Sequence, residues 1–363
     1  MRQCTYNHIL ITTWLILLIV IPASLQAGDV KLIRTIEKAF PTWSNQKVNI
    51  QNQYGTVYIT SGSSSRITLK VTIIAKGNTE YVAQKLINEV DIKTTSLSNE
   101  LRVGTETPRS PGMKLGDKGL SVRYELEIPR ANPLKVYNKF GDISLGDRKG
   151  DVEVIIKNGT LTAGKLEGSV NDLRGHFSHA DIGYLRTGQI DFKFGNVTVS
   201  QVGYLRIKQA GGDLNIGVAK SLEMYVKQGK VSIGRADVVR GEYSSKFFAL
   251  GYLGKLLDME VKYAETFTVG EVGADFTSIN IEQSYTPVQL NFNPEARFKL
   301  QASMKKASLT YDAPTVSMTI MESKSTDECK CTQMDYYGQF GGGSNRPAKV
   351  KIEGYFGSVK ITQ

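Results

Sequence analysis

Apolar and polar residues alternate along most of the chain, and the alternation has a period of two. The clearest stretch is residues 134–164, in which one short pattern is written twice. Its apolar positions and its glycine recur after 18 residues, in the pairs Leu134/Val152, Val136/Val154, Gly141/Gly159, Ile143/Leu161 and Leu145/Ala163. Alternation of this kind is typical of strands with one buried face. The stretch therefore predicts a unit of two short strands joined by a bend.

The unit continues beyond this stretch, with steps of 18, 16, 20, 17, 17, 17 and 19 residues between the small residues that close each copy. The closing residues are Gly146, Gly164, Ala180, Ser200, Gly217, Gly234, Gly251 and Gly270. One such unit cannot bury its apolar face alone, so units stack and each strand pairs with its equivalent in the next unit. Residues 134–290 thus predict an all-β fold, a parallel β-solenoid (β-helix) with rungs of roughly 17–18 residues. A β-sandwich of antiparallel hairpins is the alternative, but it has no reason to keep a fixed period.

Most units carry a glycine at the bend. A corner that needs a positive φ or a close backbone approach favours glycine, because glycine has no Cβ. The bend glycines are Gly55, Gly141, Gly159, Gly195, Gly212 and Gly229.

Copies of the same unit lie near both ends of the chain, at residues 48–59 and 350–361. Between the first copy and the repeats, residues 79–90 have the three-and-four spacing of a helix, with Asn78 or Thr79 as the N-cap. Solenoid ends need a cover because an open strand edge invites aggregation. We therefore expect residues 28–133, a strand-rich segment with one helix, to cap one end.

The C-terminal segment, residues 291–363, is expected to hold further strands. Residues 322–347 combine ESKSTDECKC with GGGSN, a composition that predicts a flexible loop. Residues 348–363 then form a closing repeat that either caps or completes the other end of the solenoid.

The first residues form an apolar run of another kind. Arg2 precedes residues 9–21, which are apolar apart from two threonines, and residues 22–27 end in small side chains. This pattern predicts a secretory signal peptide over residues 1–27, with an uncleaved anchor as the alternative. A membrane span needs about 20 apolar residues, and this run is shorter. The mature chain is expected in the periplasm, at the cell surface or outside the cell, peripheral to the membrane at most.

The 363 residues carry a formal net charge of +10. Their lysines and arginines are scattered singly, and export separates the chain from nucleic acid, so no nucleic-acid partner is predicted. A diffuse basic surface that faces an anionic envelope or polysaccharide accounts for the charge, and so does simple solubility.

The segment LEIPRANPLKVYNKFGDISLGDRKGDVEVIIKNGTLTAG resembles the bacterial putative-adhesin β-strand-repeat family, whose members combine an IPR or VP strand with NGDI and GDV turns. KAFP followed by VNIQNQYGTVYIT, and then a short helix, is similar to the same family. The resemblance implies an exported β-helix protein of largely unknown function, and it brings no catalytic residues. The CKC segment and the closing repeat depart from the family pattern.

No catalytic residue, cofactor or metal site is predicted. Nucleotide-binding loops and nucleophile elbows are absent from the sequence. His176 and His179, near Asp172 and Asp181, were weighed as metal ligands. The repeat alignment places His179 inward and His176 outward, so the two side chains should face opposite ways.

Cys329 and Cys331 form a possible disulfide, within the chain or between chains. Such close spacing strains the bond geometry, and a free reactive pair or a metal site are the alternatives.

Tyrosines recur through the repeats, and a stripe of them would stack on sugar rings or contact a protein. The candidate binding residues are Tyr184, Tyr204, Tyr225 and Tyr243, with Tyr252 and Tyr263 further along the chain.

The predicted function is that of an exported, non-enzymatic β-helical envelope protein, adhesin-like or a scaffold, which presents its repeat surface to a glycan or protein partner. Two alternatives stay open. One is a carbohydrate-active β-helix enzyme, a polysaccharide lyase or glycosidase, which rests on fold analogy alone. The other is an accessory role in envelope-stress signalling. The sequence leaves the oligomeric state open.

Overall fold

The structure is a computed structural model that describes residues 30–43, 45–62, 65–107, 119–312, 315–324, 332–341 and 347–363. Within these ranges the chain forms 26 strands and one helix, and hydrogen bonds join the strands into one sheet. The all-β prediction is confirmed. The predicted signal peptide, Cys329 and Cys331 lie outside the described residues. No helix in these ranges is long and apolar enough to cross a membrane.

The strands are numbered in chain order. They are β1 Val30–Pro41, β2 Lys47–Gln53, β3 Val57–Gly62, β4 Arg66–Gly77, β5 Asp91–Ser96, β6 Glu100–Glu106, β7 Leu120–Pro129, β8 Leu134–Lys139, β9 Ile143–Leu145, β10 Val152–Lys157, β11 Thr160–Leu166, β12 Asn171–His176, β13 His179–Lys193, β14 Val197–Ala210, β15 Leu214–Lys227, β16 Val231–Ser244, β17 Phe247–Lys262, β18 Thr266–Val272, β19 Ser278–Ser284, β20 Pro287–Phe292, β21 Phe298–Lys305, β22 Ser308–Asp312, β23 Thr315–Lys324, β24 Thr332–Phe340, β25 Ala348–Tyr355 and β26 Ser358–Thr362. The helix, α1, spans Glu80–Asn88 between β4 and β5, and the Thr79 side chain caps its N-terminus.

Strands of successive repeats pair in parallel at a constant offset. Val197 of β14 lies beside Leu214 of β15, which lies beside Val231 of β16, so equivalent residues are 17 positions apart. All three side chains are buried, and each apolar position stacks on its equivalent in the next repeat. The period of the sequence is therefore the register of the parallel pairing.

One repeat ends at a different residue from the one expected. Ala163 pairs with Ile182 and Lys165 with Tyr184, so Gly183 is the equivalent of Gly164. The prediction that Ala180 closes this repeat was wrong. An extra residue in the turn over residues 167–170 changes the offset from 18, between Arg148 and Leu166, to 19, between Val152 and Asn171.

The first copy of the unit continues the stack on its N-terminal side. Strands β2 and β3 pair in parallel with β8 and β9, and β6 and β7 pair in parallel with β2 and β3. Antiparallel strands follow, with β4 on β7, β1 on β4 and β5 on β6. Helix α1 packs against β4 and β1 through Ala83, Leu86 and Ile87.

At the C-terminal end, the order of the strands in space differs from their order in the chain. Strand β25 lies between β19 and β21 and is parallel to both, while β26 lies between β20 and β22. The closing repeat was expected to cap or complete this end, and it instead lies one repeat inside it. The position follows from side-chain fit, since Val350 stacks between Ile279 and Leu300 in the core.

The flexible loop predicted for residues 322–347 is wrong for residues 332–340, which form β24. This strand pairs antiparallel with β21 and with β23. Met334, Tyr336 and Phe340 alternate along it and pack against the core. The alternation outweighs the polar composition that suggested a loop.

Candidate functional site

Each repeat turns a corner at the same place, and the residue just before the bend glycine has a left-handed backbone. Its φ is 59° at Phe140, 57° at Phe194 and 54° at Tyr263, a conformation that residues other than glycine rarely adopt. We call the equivalent residues the corner column, and all of them except Ser245 have a positive φ. In stacking order the column is Tyr54, Phe140, Asn158, Phe177, Phe194, Gly211, Gln228, Ser245, Tyr263, Tyr285, Phe356 and Lys306.

The bend glycine allows successive corners to approach closely. A Cβ on Gly195 would lie 1.7 Å from the carbonyl oxygen of Ser178, and one on Gly229 would lie 1.8 Å from that of Gly212. A side chain at these positions would collide with the backbone of the preceding repeat. The glycine is therefore needed for the contact between repeats.

Buried polar side chains hold the corner from the inside. The Asn138 amide donates hydrogen bonds to the carbonyl oxygens of Gly55, at 2.9 Å, and Asp142, at 3.1 Å. Gln209 and Tyr243 donate to corner carbonyl oxygens of later repeats. These bonds satisfy carbonyl groups that turn away from the strand ladder, which stabilises the corner.

A second set of side chains holds the corner from the outside. Asp142 Oδ1 accepts a hydrogen bond from the backbone N–H of Thr160 at 2.8 Å. In the same way Asn196 accepts from Asp213 at 2.9 Å, and Asp213 accepts from Lys230 at 3.0 Å. These polar residues therefore cap the next repeat in the stack.

The two histidines differ from their predicted positions. His179 is exposed, and its Nδ1 accepts a hydrogen bond from the backbone N–H of Asn196 at 3.1 Å. His176 is half-buried, with its ring edge-on to two aromatic rings of the corner column. The expectation that His179 points inward was wrong because it rested on Ala180 as the end of its repeat. Among the described residues, no group of three or more His, Cys, Asp and Glu side chains could hold a metal ion.

The aromatic members of the corner column are exposed and stacked on one another. The rings of Phe177 and Phe194 have centroids 5.0 Å apart, and those of Tyr263 and Tyr285 are 5.3 Å apart. Phe356 continues the second group, at 5.0 Å from Tyr285. Phe177 is 54% exposed and Tyr263 is 67% exposed. Rings held outward by a strained backbone point to a role at the surface, because burial does not account for them.

The predicted tyrosines do not share one surface. Tyr225 and Tyr204 both donate hydrogen bonds to Glu223, at 2.9 and 3.0 Å, which lowers the pKa of Glu223 and raises the pKa of both phenols. Tyr184 lies half-buried in a different column. Tyr243 was wrong as a surface residue, because it occupies an inward position of β16 and is only 1% exposed.

The last two tyrosines of the series also lie apart. The guanidinium of Arg235 lies 4.2 Å from the ring centroid of Tyr252, on strand β17. Tyr263 belongs to the corner column, which the sequence analysis missed as a whole.

The corner column is interrupted between Phe194 and Tyr263, where it holds Gly211, Gln228 and Ser245. A cleft of about 510 Å³ lies at the end of this gap. It is lined by Asp213, Gln228, Gly229, Lys230, Ser245, Lys246, Tyr263 and Glu265.

No family model matches the chain, and no curated protein matches it either. Solved structures do resemble it. A putative cell adhesion protein from Clostridium sporogenes is 13% identical, with 93% of this chain and 100% of that chain covered and a TM-score of 0.20. A putative adhesin from Parabacteroides merdae is 9% identical, with 91% and 96% covered and a TM-score of 0.32.

A third similar structure is a putative lipid binding protein from Parabacteroides distasonis, at 13% identity and a TM-score of 0.30, with 92% of this chain and 97% of that chain covered. The adhesins among these structures agree with the family that the sequence resembles. At such low identities and TM-scores, the likenesses carry no argument about this chain.

Proposed function

We propose that the chain is a parallel β-solenoid that acts as an exported, adhesin-like binding scaffold without catalytic activity. It presents the corner column to a glycan or to an envelope protein. The constant offset of the parallel pairing supports the solenoid, and the pattern of residues 1–27 supports export. The observation that carries the binding role is the row of exposed, stacked aromatic rings in the corner column.

In this proposal, residues 134–290 are the repeats and residues 28–133 cover one end of the stack. The antiparallel strands β1, β4 and β5 support the second assignment, because they change the pairing direction where the parallel repeats end. An end of this kind protects the parallel strands from further pairing with other chains.

The energetics of the corner favour a binding role over a structural one. A left-handed backbone at a residue other than glycine costs on the order of 1 kcal/mol. Gly211 adopts the same conformation in the same column without that cost, so an aromatic side chain is not required to turn the corner. An exposed ring also gains little from burial. Rings fixed at regular spacing can, however, bind a ligand with little loss of side-chain entropy.

The test is to compare the wild-type chain with a Phe177→Ser, Phe194→Ser double variant on a glycan array and in pull-downs of envelope proteins. Wild type should bind a defined ligand, and the double variant should bind it at least about tenfold more weakly. Tyr81→Ser is the matched control, because Tyr81 is 78% exposed but lies on α1, away from the corner column. Absence of any wild-type ligand, or an equal loss in the control, contradicts the proposal.

A carbohydrate-active enzyme is the second candidate function, and a row of glutamates favours it. Glu242, Glu260, Glu282 and Glu353 occupy one position in four adjacent repeats. Glycosidases need two carboxyl groups about 5 to 9 Å apart, a range that includes the spacing of adjacent strands. The ion pair between Lys262 and Glu260 counts against this reading, because it holds one carboxylate in a charged state. Release of reducing sugar from a polysaccharide panel, with loss in Glu282→Gln, would favour the enzyme.

A further inference from the structure

We infer that the cleft in the corner column binds one neutral hexopyranose unit of a glycan, with the ring of Tyr263 as its stacking surface. The inference rests on the proposed binding role of the column and names the ligand class. It depends on three features of the cleft, which are its wall, its floor and its rim.

The wall is the free face of Tyr263. Tyr285 covers the other face, with the two rings 5.3 Å apart and inclined by only 11°. The open face is therefore directed toward the repeat of Ser245, which has no ring in the column. The left-handed backbone of Tyr263, with φ at 54°, sets the direction of the side chain. Tyr263 is the most exposed aromatic side chain named in the corner column, at 67%.

The floor consists of backbone and a small hydroxyl group. The backbone N–H of Gly229 donates a hydrogen bond to Ser245 Oγ at 2.6 Å, and the Gly229 carbonyl accepts one from the Tyr243 hydroxyl at 3.1 Å. Both polar groups of Gly229 are thereby fixed. The cleft exists because the column has small or flexible residues at this level, where its neighbours further along have rings.

The rim carries donors and acceptors in balance. Asp213 and Glu265 supply two carboxylates, Lys230 and Lys246 supply two ammonium groups, and Gln228 supplies an amide. The formal charges of these side chains cancel. Sugar hydroxyl groups both donate and accept hydrogen bonds, so they match such a rim, whereas an acidic sugar would meet two carboxylates. Asp213 is oriented for this role by the hydrogen bond that it accepts from the backbone of Lys230.

Wall and rim together fit the two kinds of surface on a pyranose ring. The ring has an apolar C–H face, which packs on the electron-rich face of an aromatic side chain, and an edge of hydroxyl groups, which meets the polar rim. The volume of about 510 Å³ lies within the range of small-molecule sites, roughly 300 to 1,000 Å³. It exceeds the needs of one sugar ring, which leaves room for the glycan to continue along the stack.

The experiment is a calorimetric titration of the wild-type chain with neutral oligosaccharides of glucose, galactose, mannose and N-acetylglucosamine. At least one should bind. Tyr263→Ser should lower its affinity at least about tenfold, while Tyr263→Phe, which keeps the ring face, should stay within about threefold of wild type. Circular dichroism of each variant verifies that the repeats remain folded.

A second variant closes the cleft without removing the wall. Ser245→Tyr extends the column of rings into the gap and should abolish binding, with the melting temperature unchanged or raised. Full binding in Ser245→Tyr, or tighter binding of uronic-acid oligosaccharides than of neutral ones, overturns the inference. Binding that is lost only in the Phe177→Ser, Phe194→Ser variant overturns the cleft but supports the proposed function. Absence of all glycan and protein binding contradicts both.

Discussion

At the corner of each repeat, two neighbouring residues divide one constraint between them. The bend glycine gives up its side chain so that the backbone of the preceding repeat can come close, as at Gly195 and Ser178. The positive φ falls on the residue before it, here Phe194. The need for glycine therefore depends on the distance to the next repeat, and substitution at this position tests packing between repeats.

Gly195→Ala should destabilise the chain by about 3 kcal/mol, because its Cβ would lie 1.7 Å from a backbone oxygen and the backbone must shift. Gly183→Ala is the matched control. A Cβ there would meet nothing nearer than 3.4 Å, an ordinary contact, so the free energy of unfolding should change by less than about 0.5 kcal/mol. Urea denaturation of both variants measures the difference. Equal losses would show that close approach is not the reason for glycine at the bend.

Two buried tyrosines predict a loss of stability at high pH. Burial raises the pKa of Tyr124 and of Tyr243 from 10.0 to about 12. Between pH 10 and 12 the unfolded chain releases these protons and the folded chain keeps them, so the free energy of unfolding falls as the pH rises. Each tyrosine contributes a decrease of about 2.7 kcal/mol at most.

Ultraviolet absorbance of tyrosinate during an alkaline titration measures the effect. Most tyrosines should ionise first, and a later step near pH 12 should contain Tyr124 and Tyr243. Tyr243→Phe should remove part of the late step and make the decline in stability with pH less steep. A titration with no late step would contradict the burial of both phenols.

The repeat is the element whose size sets the register, and its exchangeability is testable. Deletion of residues 214–230 removes one period of 17 residues and brings Val197 opposite Val231. Because stacked repeats contact only their neighbours, the shortened chain should keep its β circular dichroism and a cooperative unfolding transition. Deletion of residues 214–221 is the control, since it removes half a repeat and destroys the register. Failure of both chains to fold would argue against independent repeats.

The sequence predicted the strands of the repeats well, because alternation reports directly which side chains are buried. It showed less of the corner column. Four aromatic members stand directly before glycine, in the pairs Tyr54-Gly55, Phe140-Gly141, Phe194-Gly195 and Phe356-Gly357, and these were a signal that could have been used. Phe177, Tyr263 and Tyr285 precede Ser178, Ala264 and Thr286, so only the pairing register brings them into the column.

Over the whole molecule, the sequence could not predict where the closing repeat lies. Residues 350–361 carry the same apolar pattern as every other repeat, and the pattern contains no information about which strands become neighbours. Parallel pairing is non-local, so the choice depends on side-chain fit at two surfaces at once. In the structure β25 meets β19 on one side and β21 on the other.

That insertion imposes an order of assembly on this end of the protein. The repeat of β21 and β22 is made before β25 and β26, yet its native neighbours on the inner side are those last strands. It cannot reach its final place as it is synthesised, and must wait until the chain has been made to residue 362. The far end of the stack therefore behaves as a clasp that only the last strands can close, and a chain cut short of residue 348 leaves it open.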